Sequence, residues 1–171
     1  MNAREVALTG LFVALTAVSA QIQIPIGPVP FTLQVFAVLL SGLLLGSKLG
    51  FTSQALYVFA GAIGFPVFAG FTGGIAHLYG PSGGYLLAFP LAAVVAGLFA
   101  ERTGRTGVWL LGALLGVLII YLLGWLRLGL YLNDFEKAFL LGVLPFVPLD
   151  VAKAVLAVGV AKAVKRTLPW L

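Results

Sequence analysis

The chain has 171 residues, of which 61% are hydrophobic and 9% are charged, and its ten Lys and Arg residues exceed its five Asp and Glu residues to give a net charge of +5. Soluble domains do not show this balance, so the composition indicates an integral membrane protein. Its basic residues stand at the ends of apolar segments, as in membrane proteins, and do not indicate a nucleic-acid-binding surface. The absence of cysteine excludes disulfides and thiolate metal sites, the single histidine argues against a transition-metal centre, and no cofactor is implied.

The length predicts six membrane spans, at about 20 residues for each spanning helix, with short turns between them. The predicted fold is therefore an all-α membrane protein, a bundle of six transmembrane helices that makes a single domain over residues 1–171. The predicted spans cover residues 6–24, 33–46, 49–63, 85–100, 107–126 and 138–164.

Small residues recur in steps of three and four along the N-terminal part of the first span. They are Ala3, Ala7, Gly10, Ala14 and Ala17, and this spacing places them on one narrow face of a helix. A face of this kind lets a second helix approach closely. It is compatible with packing inside the chain and with an external helical partner, and the spacing alone does not choose between them.

Two irregular segments follow, and both are poor in charge. Residues 25–30 contain three prolines, which break the first helix, and Gln34 comes soon after, in the first turn of the second span. Residues 64–85 are rich in glycine and aromatic residues and contain no acid, Lys or Arg. Irregular backbone near a membrane persists only where protein or a water-filled cavity satisfies its polar groups. We therefore expect the second segment to line a pocket.

The aromatic residues of this second segment are candidates for packing around a ligand ring. They are Phe68, Phe71, Tyr79 and Tyr85. Any one of them is also compatible with ordinary membrane packing or with anchoring at the membrane interface. Their concentration in one glycine-rich segment favours the interpretation as a ligand site.

The last apolar segment carries an acid and a base three residues apart, Asp150 and Lys153. Ionisable groups within the hydrocarbon region are costly, a few kcal/mol each on insertion scales, so they usually mark a site. One helical turn separates the two, which puts them on about the same face. A structural ion pair that locks neighbouring helices together is the alternative. We interpret the pair as the centre of a site for a small, mostly apolar ligand with a few hydrogen-bonding atoms.

The basic residues are divided unequally between the two predicted membrane faces. One face has only Arg127 and Lys137, and Lys153 lies inside a span. The other face collects Arg4, Lys48, Arg102, Arg105, Lys162, Lys165 and Arg166. The positive-inside rule therefore predicts that both termini are cytoplasmic, and that both irregular segments and the start of the sixth span face outward.

A membrane hydrolase is an alternative from a different functional class. Residues 80–84 match G-x-S-x-G, and a serine that opens the fourth of six spans resembles the rhomboid intramembrane proteases, with Ser82 as the nucleophile. Such an enzyme needs a base on another helix, but the sixth span has no histidine, and His77 lies only five residues before Ser82. The segment around Lys48 lacks the order of a phosphate-binding loop, so the chain has no visible means of hydrolysing ATP.

Four segments, taken together and in order, resemble the BioY family. They are IPIGPVPFTLQ at 24–34, GFPVFAG at 64–70, GPSGGYLLAFP at 80–90 and PLDVAK at 148–153. Two residues depart from the family pattern: Ser82 stands where threonine is common, which keeps the hydroxyl, and Leu149 stands where glycine is frequent.

This resemblance implies a biotin-binding S component of an energy-coupling factor (ECF) transporter in a prokaryotic plasma membrane. Such a subunit captures biotin outside the cell, while a membrane-embedded T component and two cytoplasmic ATPase subunits drive its release inside. The small residues of the first span would then be the docking surface for the T component. An S component for another small vitamin, or a stand-alone secondary transporter with Asp150 as a proton-coupling acid, remain alternatives.

The resemblance also implies roles for site residues. Asp150 is expected to accept a hydrogen bond from a ureido N–H of biotin, and Lys153 to donate to the ureido oxygen or to pair with the carboxylate. The predicted substrate-binding residues are Asp150, Lys153, Tyr85, Gly83, Gly84, Phe68, Tyr79 and Gln34.

Overall fold

The structure is a computed structural model, and it describes residues 1–170. Its regular structure is almost entirely helical, as the composition predicts. The helices are α1 (Ala3–Gln21), α2 (Gln34–Ala62), α3 (Ala76–Tyr79), α4 (Gly83–Arg102), α5 (Thr106–Leu132), α6 (Phe135–Gly142) and α7 (Val147–Thr167). A two-residue antiparallel hairpin, β1 (Gln23–Ile24) and β2 (Phe31–Thr32), joins α1 to α2.

The helices have the length and composition of membrane-spanning segments. Each of α1, α2, α4 and α5 is long and apolar enough to cross a membrane, and α6 with α7 makes a fifth span if this bent pair is counted as one. The prediction of an all-α membrane protein is therefore confirmed at this level.

The long helix α2 is broken at Gly46, and its two halves fold back on each other. Gly46 has φ 82° and ψ 179°, a conformation that is essentially restricted to glycine. The side-chain N–H₂ of Gln34 donates to the Tyr57 hydroxyl at 2.6 Å. These two residues are 23 positions apart in the chain and would lie about 35 Å apart in a straight helix. The break falls at the turn that the sequence predicts between residues 46 and 49.

Glu101, at the end of α4, holds this break in place. Its carboxylate accepts hydrogen bonds from the Ser47 backbone N–H at 2.6 Å and from the Ser47 hydroxyl at 3.0 Å. Ser47 opens the second half of α2, so the acid lies at the positive end of that half-helix dipole. This contact ties α2 to α4. Helix α4 is the central helix, and it packs between α2 and α5 through small residues such as Ala92 and Ala96.

The predicted sixth span, 138–164, is interrupted in the structure. α6 ends at Gly142, α7 begins at Val147, and the two are bent by 50°. Pro145 lies in the break, where it cannot continue the hydrogen-bond ladder of α6, while Pro148 is tolerated in the first turn of α7. The break therefore places Asp150 in the first turn of α7 rather than in the middle of a continuous span.

Candidate ligand cavity

A cavity of about 450 Å³ lies at the end of the bundle where α2, α4 and α7 begin. Its wall is formed by the β1–β2 hairpin loop, the segment between α2 and α4, the middle of α5, and the starts of these three helices. A volume of this size is typical of sites for small organic molecules. The glycine-rich segment thus lines a cavity, as the sequence predicts, and the proline-rich segment contributes to the same wall.

Asp150 is the acidic group of the cavity, and it is only 2% exposed. One carboxylate oxygen accepts from the Lys153 ammonium at 2.7 Å, and the other accepts from the Tyr121 hydroxyl at 2.7 Å. A carboxylate has about four acceptor positions. Two of them therefore have no donor among residues 1–170, so the buried acid retains capacity for the donors of a ligand.

Lys153 connects α7 to the β1–β2 hairpin. Its ammonium donates to the Thr32 carbonyl at 2.7 Å as well as to Asp150, and it lies 5.2 Å from the centroid of the Phe31 ring. Phe31 in turn stacks on Phe146 with a centroid separation of 4.3 Å. Since an ammonium has three N–H donors and two are used here, Lys153 retains one for a ligand oxygen.

Gln34 is held in the cavity wall by a chain of hydrogen bonds. Its side-chain oxygen accepts from the Thr32 hydroxyl at 2.8 Å, and its side-chain N–H₂ donates to the Tyr57 hydroxyl at 2.6 Å. Tyr57 then donates to the Val67 carbonyl at 2.9 Å. The chain links the hairpin, both halves of α2 and the segment after α2, so the polar and aromatic parts of the wall have fixed relative positions.

Aromatic rings form the apolar part of the wall. Phe68 is buried and meets His77 edge to face at 5.7 Å, and Phe89 lies deeper in α4. Tyr85 lines the cavity with its ring while its hydroxyl donates to the Gly142 carbonyl at 2.7 Å. Rigid aromatic walls of this kind pack well against a flat or puckered apolar ring.

Five of the eight predicted substrate-binding residues line the cavity, and three do not. The lining residues are Asp150, Lys153, Tyr85, Phe68 and Gln34. Gly83 and Gly84 instead allow close helix packing, because a Cβ would overlap the carbonyl of Leu78 or of Leu123. The Tyr79 side chain is 68% exposed and lies outside the cavity wall. These three residues therefore do not line the cavity of the ligand-free chain, and their contact with a ligand stays a prediction.

The cavity also includes polar residues that the sequence reasoning did not assign to a binding role. Tyr121 is the most important, because it contacts Asp150 directly, and His77 and Ser82 also line the cavity. A tyrosine inside the otherwise apolar fifth span was the available signal, since a buried tyrosine hydroxyl normally has a partner.

Ser82 has no hydrogen-bonded base in the part of the chain that the structure describes. Ser82 lines the cavity, but within residues 1–170 no hydrogen bond joins its hydroxyl to a histidine or a lysine. Lys153 is engaged by Asp150 and Thr32. A nucleophilic serine requires a base in hydrogen-bond reach, and among residues 1–170 no such base is hydrogen-bonded to Ser82.

The small residues of α1 lie on the outside of the bundle. Ala3, Ala7, Gly10 and Ala14 are exposed and Ala17 is half-buried. A Cβ placed on Gly10 would meet no other described atom within 4 Å. The buried residues of this helix, including Thr9, Phe12 and Thr16, lie on its opposite face. From Ala3 to Ala14 this face of α1 is therefore open within residues 1–170, whereas Ala17 packs against the core.

Comparisons with known proteins agree on one family. The sequence model of the BioY family matches residues 1–170. The "Probable biotin transporter BioY" of Pyrococcus horikoshii is 57% identical over 95% of this chain and 96% of its own length. The "Biotin transporter BioY" of Thermotoga maritima is 47% identical with the same coverage. A crystal structure of the S-component for biotin from an ECF-type ABC transporter superimposes with a TM-score of 0.90 and 28% identity, covering 97% of this chain and 95% of that one.

Proposed function

Because this chain belongs to the BioY family, we propose that it is the S component of an ECF-type transporter and that it captures biotin in the cavity beside Asp150. The chain has the length of its biotin-transporter relatives and the fold of the biotin S-component. The observation that carries the assignment is the buried Asp150 carboxylate, which is oriented by two partners and still retains acceptor capacity in a cavity of fitting size.

The chemistry of biotin matches the groups in the cavity. Its ureido ring has two N–H donors and one carbonyl, its fused thioether ring is apolar, and its side chain ends in a carboxylate. In this proposal Asp150 accepts from a ureido N–H, and the free N–H of Lys153 donates to the ureido oxygen or to the carboxylate. Phe68, Phe89 and Tyr85 surround the apolar ring system.

The proposed membrane arrangement has six spans in a single domain with both termini in the cytoplasm. The spans are α1, the two halves of α2, α4, α5, and the bent pair of α6 and α7. The folded-back halves of α2 support this count, and the excess of basic residues at the end away from the cavity supports the orientation. The cavity would then open towards the outside of the cell, where biotin is captured.

The proposed partners are a membrane-embedded T component and two cytoplasmic ATPase subunits. The small residues Ala3, Ala7, Gly10 and Ala14 on α1 support a docking role, because they are exposed and a Cβ on Gly10 would meet no other described atom within 4 Å. The turn at Gly46, Ser47 and Lys48 supports a separate source of ATP hydrolysis, since the Ser47 N–H is already bound by Glu101 and is not free to cradle a phosphate.

A binding titration with the purified full chain tests this proposal. Labelled biotin added to the detergent-solubilised chain, without T component or ATPases, is expected to bind saturably with a stoichiometry of about one, and thiamine and riboflavin are expected not to compete. Displacement of biotin by another vitamin at equal concentration would instead assign the chain to that vitamin. Vesicles that contain this chain alone are expected to bind but not to accumulate biotin, whereas accumulation would identify a stand-alone transporter.

A further inference from the structure

Five basic residues gather at the end of the bundle that lies away from the cavity. They are Arg102, Arg105, Lys162, Lys165 and Arg166, here called the basic cluster. Helix α4 ends at Arg102, α5 begins at Thr106 and α7 ends at Thr167. The Lys162 ammonium donates to the Gly104 carbonyl, so the end of α7 touches the turn between α4 and α5. The basic cluster is therefore one continuous surface built from three helix ends.

Trp109 fixes the centre of the basic cluster. Its indole ring is 4% exposed, and its N–H donates to the Thr103 carbonyl at 2.7 Å, which holds the α4–α5 turn against α5. The ammonium groups of Lys162 and Lys165 lie 4.1 and 5.0 Å from the centroid of this same ring. Cation–π attraction stabilises each ammonium, but it brings two like charges together over one ring.

No acid of the described chain forms a salt bridge with these five residues. Within residues 1–170 the one salt bridge joins Asp150 to Lys153, in the cavity. Glu101 is the one acid of residues 1–170 that acts electrostatically on Lys165, and its carboxylate is also bound by the Ser47 N–H and hydroxyl. One carboxylate offsets only part of five positive charges. The basic cluster therefore has a large excess of positive charge at the level where three spanning helices end, and an anion from outside the chain would be attracted to it.

We propose that the basic cluster binds the phosphate headgroup of an anionic phospholipid. Basic pockets between the ends of membrane helices suit such headgroups, and each Lys or Arg there contributes about a fivefold gain in affinity. The surface next to the charges fits the rest of the lipid, because Leu98, one turn before Arg102, and Val155, two turns before Lys162, are exposed and apolar. Acyl chains can lie along these residues while the phosphate meets the ammonium groups. This assignment does not depend on which ligand occupies the cavity.

Native mass spectrometry of the full chain in mixed micelles tests the proposal. The probes are phosphatidylglycerol and phosphatidylcholine with the same acyl chains, supplied at equal concentration. The chain is expected to retain phosphatidylglycerol in preference to phosphatidylcholine, and Lys162→Gln and Lys165→Gln are each expected to reduce that preference by about fivefold. Lys137→Gln is the matched control, because it removes one exposed lysine at the opposite end of the bundle and is expected to leave the preference unchanged.

Three results would overturn the proposal. The first is equal retention of both lipids by the unsubstituted chain. The second is a loss of preference in Lys137→Gln as large as in Lys162→Gln, which would indicate a general effect of net charge. The third is displacement of the bound lipid by soluble glycerol phosphate at similar concentration, which would indicate a site for a free phosphate. A cooperative thermal unfolding transition with the Tm of the unsubstituted chain shows that each variant is folded.

Discussion

The hydroxyl of Tyr121, in the middle of α5, donates a 2.7 Å hydrogen bond to Asp150, in the first turn of α7. Lys153 holds the other oxygen of the same carboxylate. The acid therefore has a fixed orientation before any ligand enters the cavity. Binding groups held in place in this way lose less conformational freedom when the ligand binds, which favours high affinity.

Tyr121→Phe is expected to weaken biotin binding without abolishing it. The change removes one hydrogen bond to the Asp150 carboxylate, a loss of about 0.5–1.5 kcal/mol or roughly 2–10-fold in Kd. Isothermal titration with biotin measures it. Tyr131→Phe is the matched control, since Tyr131 is on the same helix but is exposed, and it is expected to bind as the unsubstituted chain does. Equal effects of the two changes would argue against a positioning role for Tyr121.

Lys153→Met is expected to lower the thermal stability of the ligand-free chain and to weaken biotin binding. It leaves the buried Asp150 without its cationic partner, at a cost of about 3–5 kcal/mol. Adding Asp150→Asn to Lys153→Met removes the unpaired charge, so the double variant is expected to recover part of the lost Tm while binding stays weak. If both variants bound biotin normally, the pair would be structural only. Lys137→Met, at an exposed lysine, is the control for both measurements.

Gly46→Ala is expected to destabilise the fold by about 1–3 kcal/mol, because an alanine rarely adopts its backbone conformation. The added Cβ would also lie 2.5 Å from the Glu101 carboxylate oxygen that caps the second half of α2. Thermal unfolding in detergent measures the change. Gly159→Ala, on an open face of α7, is expected to be neutral or slightly stabilising. Unchanged stability of Gly46→Ala would show that α2 does not need this break.

Ala14→Trp is expected to separate biotin capture from transport. A bulky ring on the exposed small-residue face of α1 prevents close approach of another helix, while the cavity stays unchanged. Isolated Ala14→Trp protein should therefore bind biotin normally but fail to co-purify with the T component and to support uptake. Leu118→Trp, at an exposed position on α5, should retain both activities. Normal biotin uptake by the Ala14→Trp variant would show that this face of α1 is not the docking surface.

The sequence alone was sufficient to find the centre of the cavity. Asp150 and Lys153 stood out because charge within an apolar run is costly and must be compensated. The glycine-rich segment is predicted to line a pocket because irregular backbone in a membrane needs polar partners. Both inferences rest on local composition, which one sequence displays directly.

Features that depend on which helices pack together could not be predicted from the sequence. Nothing in one sequence places Tyr121 of α5 against α7, so its bond to Asp150 was missed. Gly83 and Gly84 indicate that another group lies close to them, but the sequence does not identify that group. In the structure it is the backbone of another helix. The interruption between α6 and α7 was also missed, although Pro145 and Pro148 were its local cause.

Biotin titration of Asp150→Asn beside Asp134→Asn tests the central claim most directly. Both substitutions replace a carboxylate by an amide of the same shape, but Asp134 caps α6 at an exposed position. Loss of a charge-assisted bond predicts that Asp150→Asn weakens biotin binding by about 1.5–3 kcal/mol, roughly 10–150-fold in Kd, while Asp134→Asn binds normally. Unchanged biotin affinity in folded Asp150→Asn protein would contradict the proposal that this buried acid recognises the ligand.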